Sequence, residues 1–343
     1  MGVILIRRFS YMLVTMLFVS IAIFFISEVV PIDVARNIMG RFASQESVDA
    51  LRERMGLNCP TTARYFIWLI GDDWVPAGRS LLGEKVLPSG CTPQDLDRNG
   101  VLRGDLGFSY RTKEPVGPYL MRRLKNSLLL GGIASIITMP VALVLGVLAG
   151  LREGSFLDRF ISMFGILTTS SPSFATGVIL VLIFALWLGW LPGVSALMTE
   201  TSAFESPEKL VMPIMVLFLM EVGYVARITR ASMAQEMDRP YVRTAILKGL
   251  SPTKVVFKHA MRNALLAPIT VIMIQVNWLI GGVVVVEMLF GFPGLGSALL
   301  QASLNKDLYM IEAGALLMTF SAVTLQLFAD IMYTYLNPRI RYA

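Results

Sequence analysis

The sequence contains little charge, one histidine and few cysteines. Asp, Glu, Lys and Arg make up 16% of its 343 residues, against about a quarter in a typical soluble domain. The histidine is His259 and the two cysteines are Cys59 and Cys91. The spacings CxxC, HExxH and GxxxxGK[ST] do not occur. No metal, thiol redox or nucleotide site of those kinds can therefore be argued from this sequence.

Long apolar runs take the place of charge. Apolar residues make up 55% of the chain, and a membrane-spanning helix needs about 20 of them in succession. Six segments qualify: Phe9–Val30, Ser127–Leu151, Phe160–Leu191, Leu210–Thr229, Ala264–Phe290 and Leu308–Tyr335. Because the runs are continuous rather than alternating, helices are favoured over a β-barrel. The third run contains Ser-Ser-Pro-Ser at 170–173, which predicts a break at Pro172.

The distribution of cations predicts the orientation of these helices. The segment Arg227–Arg262 holds eight Lys and Arg residues against two acidic ones, whereas two short loops on the opposite side hold only Lys209 and Lys306. Since cations concentrate in cytoplasmic loops, both termini are expected inside the cell and the long loop 31–126 outside. This bias explains the net charge of +6 without a nucleic-acid partner.

The runs also suggest a division of the chain. Residues 1–30 form an N-terminal membrane helix, and residues 31–126 form an outer loop that contains the insert 71–102. Residues 127–343 form a core of five membrane helices. The cytoplasmic loop of that core covers residues 231–263.

The stretch YVRTAILKGLSPTK in this loop has start and stop signals for two short helices. Asp238 is a candidate N-cap and Pro240 suits the first helical turn. Gly249 suits a left-handed helix end, and Ser251-Pro252 repeats the start signal. The sequence therefore predicts an ordered helix pair just below the bilayer.

Two interpretations of this helix pair remain open from the residues alone. A basic connector could lie against lipid headgroups through its long cations. Alternatively, the small residues Ala245 and Gly249 would let another protein approach closely.

The stretch resembles the EAA loop, the coupling loop of ABC-importer permeases. Its core matches Arg243-Thr244-Ala245, and Gly249 follows after three intervening residues. Arg243 stands where the general pattern has glutamate, a variant that resembles the dipeptide/oligopeptide permease family. Further segments with this resemblance are LRERMGLNCP (51–60), RGDLGFSYRT (103–112), SSPSFATGVILVLIFA (170–185) and VVVEMLFGFPGLG (284–296). The insert Gly71–Leu102 departs from the pattern.

The resemblance implies an all-α membrane protein with six transmembrane helices and the type I ABC importer permease fold, with an extended periplasmic loop after the first helix. It implies an inner-membrane subunit without catalysis of its own. Its partners would be a second permease, two cytoplasmic ATPases that bind ATP and Mg, and a periplasmic substrate-binding protein. The ATPase-coupling residues would be Tyr241, Arg243, Thr244, Ala245, Gly249, Ser251 and Lys254.

The imported solute would be a dipeptide, an oligopeptide, a nickel chelate, an opine or a sugar. An ion-coupled secondary transporter or channel is the alternative function. It would need inverted repeats or coupling carboxylates, and the sequence shows no internal repeat. A membrane-embedded enzyme ranks third, because His259 has no evident Ser or carboxylate partner.

Polar residues within the spans are candidates for a translocation path, because burying them in a bilayer is costly. They are Glu221, Gln275, Asn277 and Gln326. The alternative for Glu221 is a structural ion pair with Arg227 or with a cation of a neighbouring subunit. Three other carboxylates lie near span ends and are expected at the membrane interface: Glu287, Glu312 and Asp330.

The outer loop carries two further candidate sites. Cys59 and Cys91 would form a disulfide in an oxidising periplasm, or they are two unrelated buried residues. The segment DLDRNG places Asp95, Asp97 and Asn99 as in the opening of a calcium loop. Because the twelfth position of that loop is leucine rather than glutamate, a polar turn without metal is favoured.

The orientation can be tested by labelling introduced cysteines with an impermeant thiol reagent in intact cells. We expect Glu205→Cys and Asn305→Cys to react, because both positions lie in predicted outer loops. Ser155→Cys should stay protected until the membrane is permeabilised. The reverse labelling pattern would contradict the orientation.

Overall fold

The computed structural model describes residues 2–29, 34–40, 42–54, 57–71, 99–109, 111–194 and 207–336. Side chains are described in these ranges except at 2–5, 28–29, 34, 54, 276–280 and 333–336. Most of the described residues are helical.

The helices follow the apolar runs. They are α1 Gly2–Val29, α2 Val34–Met39, α3 Gln45–Arg54, α4 Thr61–Ile70, α5 Val116–Leu151, α6 Phe156–Ser170, α7 Ser173–Trp187, α8 Glu208–Met237, α9 Pro240–Leu247, α10 Pro252–Ala264, α11 Leu266–Phe290, α12 Leu295–Asn305 and α13 Leu308–Leu336. Part of α7 (Val181–Trp187) and part of α10 (Val255–Ala260) have π-helical hydrogen bonding. A short hairpin pairs β1 (Phe108–Ser109) antiparallel to β2 (Glu114–Pro115).

Four helices are long and apolar enough to cross a membrane: α1, α5, α8 and α13. Three bent helix pairs meet the same criteria together, so the described residues give between four and seven candidate spans. The predicted second, fourth and sixth spans fall within α5, α8 and α13, and the predicted first span follows α1 as far as Val29. The predicted third span falls in the bent pair α6–α7, whereas the predicted fifth span corresponds to α11, parts of which belong to the other two bent pairs.

The predicted break in the third span is confirmed. Helix α6 ends at Ser170, and α7 begins at Ser173 after a bend of 105°. Pro172 has an extended backbone (φ −60°, ψ 138°) and precedes the first residue of α7. Proline has no N–H to donate and pushes its preceding residue away from helical geometry, so the helix stops there.

Helix α12 was not predicted, because its sequence was assigned to an outer loop. Gly291 ends α11 in the left-handed region (φ 62°), and the chain then turns into LGSALLQASLN. Leu295, Ala298 and Ala302 are buried at helical spacing. This small apolar face is too short to register as a membrane span, and its burial requires neighbours that are distant in sequence.

The chain divides into two compact units. The first contains residues 1–9, 125–297 and 322–343. In its core, fully buried Leu217 of α8 and Phe290 of α11 belong to the same apolar cluster as Leu130 of α5. A second cluster of this unit joins α5, α6 and α8.

The second unit contains residues 10–124 and 298–321. Its core is aromatic, with Phe24, Tyr65 and Trp68 packed together near Leu316. Tyr65 on α4 shares a hydrogen bond of 2.9 Å with the Ser20 hydroxyl. Ser20 lies nine residues before the end of α1, which is about 14 Å along a helix. Helix α4 of the long loop therefore packs against the middle of α1 rather than only at its end.

Helices α6 and α8 approach each other through glycine. A Cβ added to Gly223 would lie 2.5 Å from the Thr168 hydroxyl oxygen and 2.6 Å from the Gly165 Cα. Gly165 faces the same contact, since an added Cβ would lie 3.0 Å from the Gly223 carbonyl oxygen. Small residues allow such close backbone contact between membrane helices.

Gly223→Ala should therefore separate α6 from α8 and destabilise the protein by about 1–3 kcal/mol, the usual cost of overpacking. The matched control is Gly132→Ala in α5, where an added Cβ would meet nothing within 4 Å. Thermal unfolding in detergent should show a lower midpoint for Gly223→Ala only. Equal midpoints for both variants would contradict the close contact.

Candidate functional site

Helix α9 begins directly after α8. Asp238 has helical backbone angles (φ −81°, ψ −7°) and ends α8, so the prediction of Asp238 as N-cap is wrong by one residue. The N-cap is Arg239, which is extended (φ −68°, ψ 144°) and makes no side-chain capping bond. Pro240 explains the shift, because proline forces its preceding residue out of the helical region.

The end of α9 confirms the predicted stop signal. Gly249 has φ +75°, in the left-handed region that favours glycine. Its N–H donates to the Ile246 carbonyl at 2.9 Å. Ser251 is then extended and Pro252 begins α10. The predicted pair of short helices is confirmed.

One face of α9 packs inside the chain. Val242 and Ala245, three residues apart on that face, are buried. They belong to one apolar cluster with Met233 of α8 and three residues of α10: Val255, Ala260 and Ala264. Ala245 is only 7% exposed, so it contacts the chain's own core, whereas the sequence suggested an outward contact. The cluster fixes α9 to the end of α8 and to α10.

Tyr241 joins the same three helices through polar contacts. Its hydroxyl donates to the Glu236 carboxylate at 2.6 Å and accepts from the Asn263 side-chain amide at 3.1 Å. Burial, together with the hydrogen bond to Glu236, raises the pKa of the Tyr241 phenol. The phenol therefore remains a hydrogen-bond donor at neutral pH.

The outward face of α9 combines apolar and cationic side chains. Leu247 is 81% exposed and Ile246 is 54% exposed. The predicted coupling residues Tyr241, Arg243, Thr244, Gly249, Ser251 and Lys254 are exposed as well. Sequence reasoning missed Ile246 and Leu247, although a signal was present. An eight-residue helix that buries Val242 and Ala245 leaves its remaining apolar residues exposed.

Two of the predicted path residues meet inside the membrane helices. Glu221 of α8 is 6% exposed, and the side-chain amide of Gln275 in α11 donates to its carboxylate at 2.5 Å. Among the described side chains, no Lys or Arg forms an ion pair with Glu221. The alternative of an ion pair with Arg227 is therefore not what the structure shows.

No contact with the Glu221–Gln275 pair is described for the other two path candidates, Asn277 and Gln326. The side chain of Asn277 lies outside the described residues. Gln326 donates instead to Asp330 at 3.2 Å, and Asp330 forms an ion pair with Arg8 at 2.6 Å. Gln326 thus belongs to a separate polar cluster that joins α1 and α13.

The outer-loop candidates fall largely outside the described residues. Cys91, Asp95 and Asp97 lie there, so the predicted disulfide with buried Cys59 stays a prediction. The N–H of Asn99 donates to the Asp105 carboxylate at 3.0 Å, which closes a polar turn. Within the described ranges, no three His, Cys, Asp or Glu side chains are grouped so that they could hold a metal ion.

Two carboxylates expected at the interface are buried instead. Glu287 of α11 has no exposed surface and Glu312 of α13 is also buried. Glu287 accepts from the Ser127 hydroxyl and from the N–H of Ser297 at 3.0 Å. The Ser127 hydroxyl in turn accepts from the N–H of Leu295 at 2.8 Å. Glu287 therefore holds the turn between α11 and α12, a role that depends on contacts distant in sequence.

Comparison with known proteins gives matches over nearly the whole chain. Residues 142–342 match the family described as "Binding-protein-dependent transport system inner membrane component". Residues 1–131 match the corresponding N-terminal family, "Binding-prot-dependent transport system membrane comp, N-term". The chain is 31% identical to the oligopeptide transport system permease protein AppB of Bacillus subtilis (strain 168), over 100% of both chains. It is 28% identical to the glutathione transport system permease protein GsiC of Escherichia coli O6:H1, over 98% of both.

The Tyr241 contacts lead to a prediction for local stability. Tyr241→Phe leaves Glu236 and Asn263 without this hydroxyl, at a cost of about 1 kcal/mol. We expect amide hydrogen exchange in α9 and α10 to accelerate roughly fivefold. Tyr224→Phe in α8 is the control, because no contact of the Tyr224 hydroxyl is found among the described residues.

The pH dependence of this effect follows from the raised pKa of Tyr241, whose ordinary value is 10.0. The stabilisation is fully present below that value and is lost as the pH rises through the higher folded-state pKa. Unchanged exchange in Tyr241→Phe at neutral pH would contradict the role assigned to this hydroxyl.

Proposed function

The chain belongs to the family of binding-protein-dependent transport system inner membrane components, and we propose that it is the permease subunit of an ATP-driven importer of peptides or similar small solutes. Full-length relatives named as oligopeptide and glutathione transport permeases support this substrate class. The single observation that carries the proposal is α9, a short helix fixed inside the chain with an exposed apolar tip.

In the proposed topology, six spans cross the inner membrane and both termini are cytoplasmic. The spans are α1, α5, the α6–α7 pair, α8, α11 and α13. The loop 31–126 then lies in the periplasm, where a substrate-binding protein delivers the solute. The cations on α9 and α10 support this orientation, because they place the cytoplasmic side next to the end of α8.

Helix α9 is proposed to dock into a groove of a cytoplasmic ATPase subunit. Such helix-in-groove contacts rely on a few apolar anchors, and Ile246 and Leu247 have the required exposure. Burial of each would contribute about 1.5–3 kcal/mol. Arg243 and Lys254 would then face acidic groups at the rim, whereas Ala245 acts by fixing α9 to the chain. ATP and Mg bind the two ATPases and not this subunit.

The contacts of α9 suggest how ATPase movement reaches the solute. Met233 connects α9 to α8, and the α10 residues of the same cluster connect it towards α11. Helices α8 and α11 carry Glu221 and Gln275, which are joined deep in the span. A displacement of α9 would therefore move both helices that bear this polar pair. Together with a second permease subunit, they would alternate between outward and inward openings.

The coupling role predicts the effect of two changes. Leu247→Asp removes an apolar anchor, and Gly249→Val forces a β-branched residue into the left-handed region at a cost of about 1–3 kcal/mol. Both proteins should insert normally in the membrane, since α9 lies outside the spans. Neither should retain the ATPases when the complex is purified, and ATP-dependent uptake should fall with that loss.

The matched control is Leu304→Asp in α12, where the leucine is similarly exposed but lies on the proposed outer side. That variant should retain the ATPases. Normal ATPase retention and uptake in Leu247→Asp and Gly249→Val would show that the loop is only a basic connector. Uptake without ATP would favour the ion-coupled alternative.

A further inference from the structure

A partly buried ion pair joins α6 to α8 close to the proposed site of ATPase docking. Arg230 of α8 contacts both carboxylate oxygens of Asp158 in α6, with Nε at 2.9 Å and Nη2 at 2.8 Å. The Asp158 side chain is 4% exposed and that of Arg230 is 28% exposed. A two-point arginine–carboxylate contact fixes the relative orientation of its partners as well as their distance.

The Asp158 carboxylate is held in place by the start of its own helix. It accepts from the N–H of Gly154 at 2.9 Å and from the Ser162 hydroxyl at 3.3 Å. Ser155, the N-cap of α6, accepts from the N–H of Asp158. A helix N-terminus also favours negative charge. The start of α6 therefore supports the orientation of the carboxylate in addition to Arg230.

The ion pair lies one helical turn from the attachment of α9. Arg230 lies three residues before Met233, and the Met233 side chain packs with Val242 and Ala245 of α9. Helix α5 meets the same turn of α8, since a Cβ added to Gly150 would lie 2.7 Å from both the Arg230 carbonyl oxygen and the Met233 Cβ. A displacement of α9 therefore reaches this turn first.

The rest of the α6–α8 contact is apolar, with Ile161 of α6 in the same cluster as Val222 and Val225 of α8. At Gly165 and Gly223 the two backbones touch without a Cβ on either side, so no large side chain there opposes sliding. Asp158 and Arg230 form a two-point contact that resists such sliding, which the contact between Gly165 and Gly223 does not provide.

We propose that Asp158 and Arg230 are positioning residues that lock α6 to α8 during transport, so that movement of α9 is passed to α6 and onward to α7. The inference rests on the proposed function, because it assumes that α9 receives the movement of an ATPase. In this proposal, the Asp158–Arg230 pair, which lies outside α9, is needed to convert ATP hydrolysis into solute movement.

The first test uses Asp158→Asn, with uptake and ATP hydrolysis measured in the complete reconstituted complex. Hydrolysis stimulated by the binding protein should stay within about twofold of the unmodified complex, whereas solute moved per ATP should fall about tenfold or more. Glu153→Gln is the matched control, because Glu153 contacts the same arginine at 3.2 Å but is 57% exposed and should contribute little.

Arg230→Lys serves as a second variant should Asp158→Asn fail to assemble. It keeps the charge but loses the two-point contact, so its solute-to-ATP ratio should fall while the complex remains intact. An unchanged ratio in an assembled variant of either kind would overturn the proposal.

A cross-linking experiment tests whether α6 and α8 stay joined throughout transport or whether the Asp158–Arg230 contact opens in every transport cycle. Asp158→Cys combined with Arg230→Cys should be uncoupled, and a short reducible thiol cross-linker should restore the solute-to-ATP ratio until reductant is added. The two single-cysteine variants, treated alike, should show no recovery. Transport that remains abolished after cross-linking would overturn the proposal that α6 and α8 stay joined.

If the unmodified chain fails to purify with ATPases, the proposed function fails instead, whatever these variants show.

Discussion

A polar group inside a bilayer can find partners only within the protein, because the hydrocarbon offers no hydrogen bonds. This constraint accounts for two long-range contacts within the proposed spans. Glu221 meets Gln275, and Glu287 meets Ser127. Each contact joins helices that are distant in sequence. A small number of satisfied polar groups thus fixes how otherwise similar apolar helices pack.

Helix α8 is where these contacts converge. Along 13 residues it presents Glu221 to α11, Gly223 and Arg230 to α6, and Met233 to α9. The same helix therefore links the polar interior of the span to the exposed surface of α9. In the proposed importer, this arrangement lets a cytoplasmic ATPase act on a solute path without any flexible connector between them.

The sequence predicted the features that depend on local chemistry. The span positions follow from apolar length, the break from Pro172, and the end of α9 from Gly249. It did not predict α12, the N-cap at Arg239 or the inward direction of Ala245. These features depend on packing partners or on competition between adjacent signals. The burial of Glu287 is similar, since a carboxylate near a span end is interfacial by position and buried only because Ser127 and Ser297 bind it.

In the proposed importer, the outward face of α9 meets an ATPase. The most direct measurement places a photo-cross-linking amino acid at Leu247 in native membranes and identifies the captured chain by mass spectrometry. We expect capture of the ATPase from Leu247, which is exposed, and no capture from Val242, which is fully buried. Capture of lipid alone from Leu247, with the ATPases present and transport active, would contradict it.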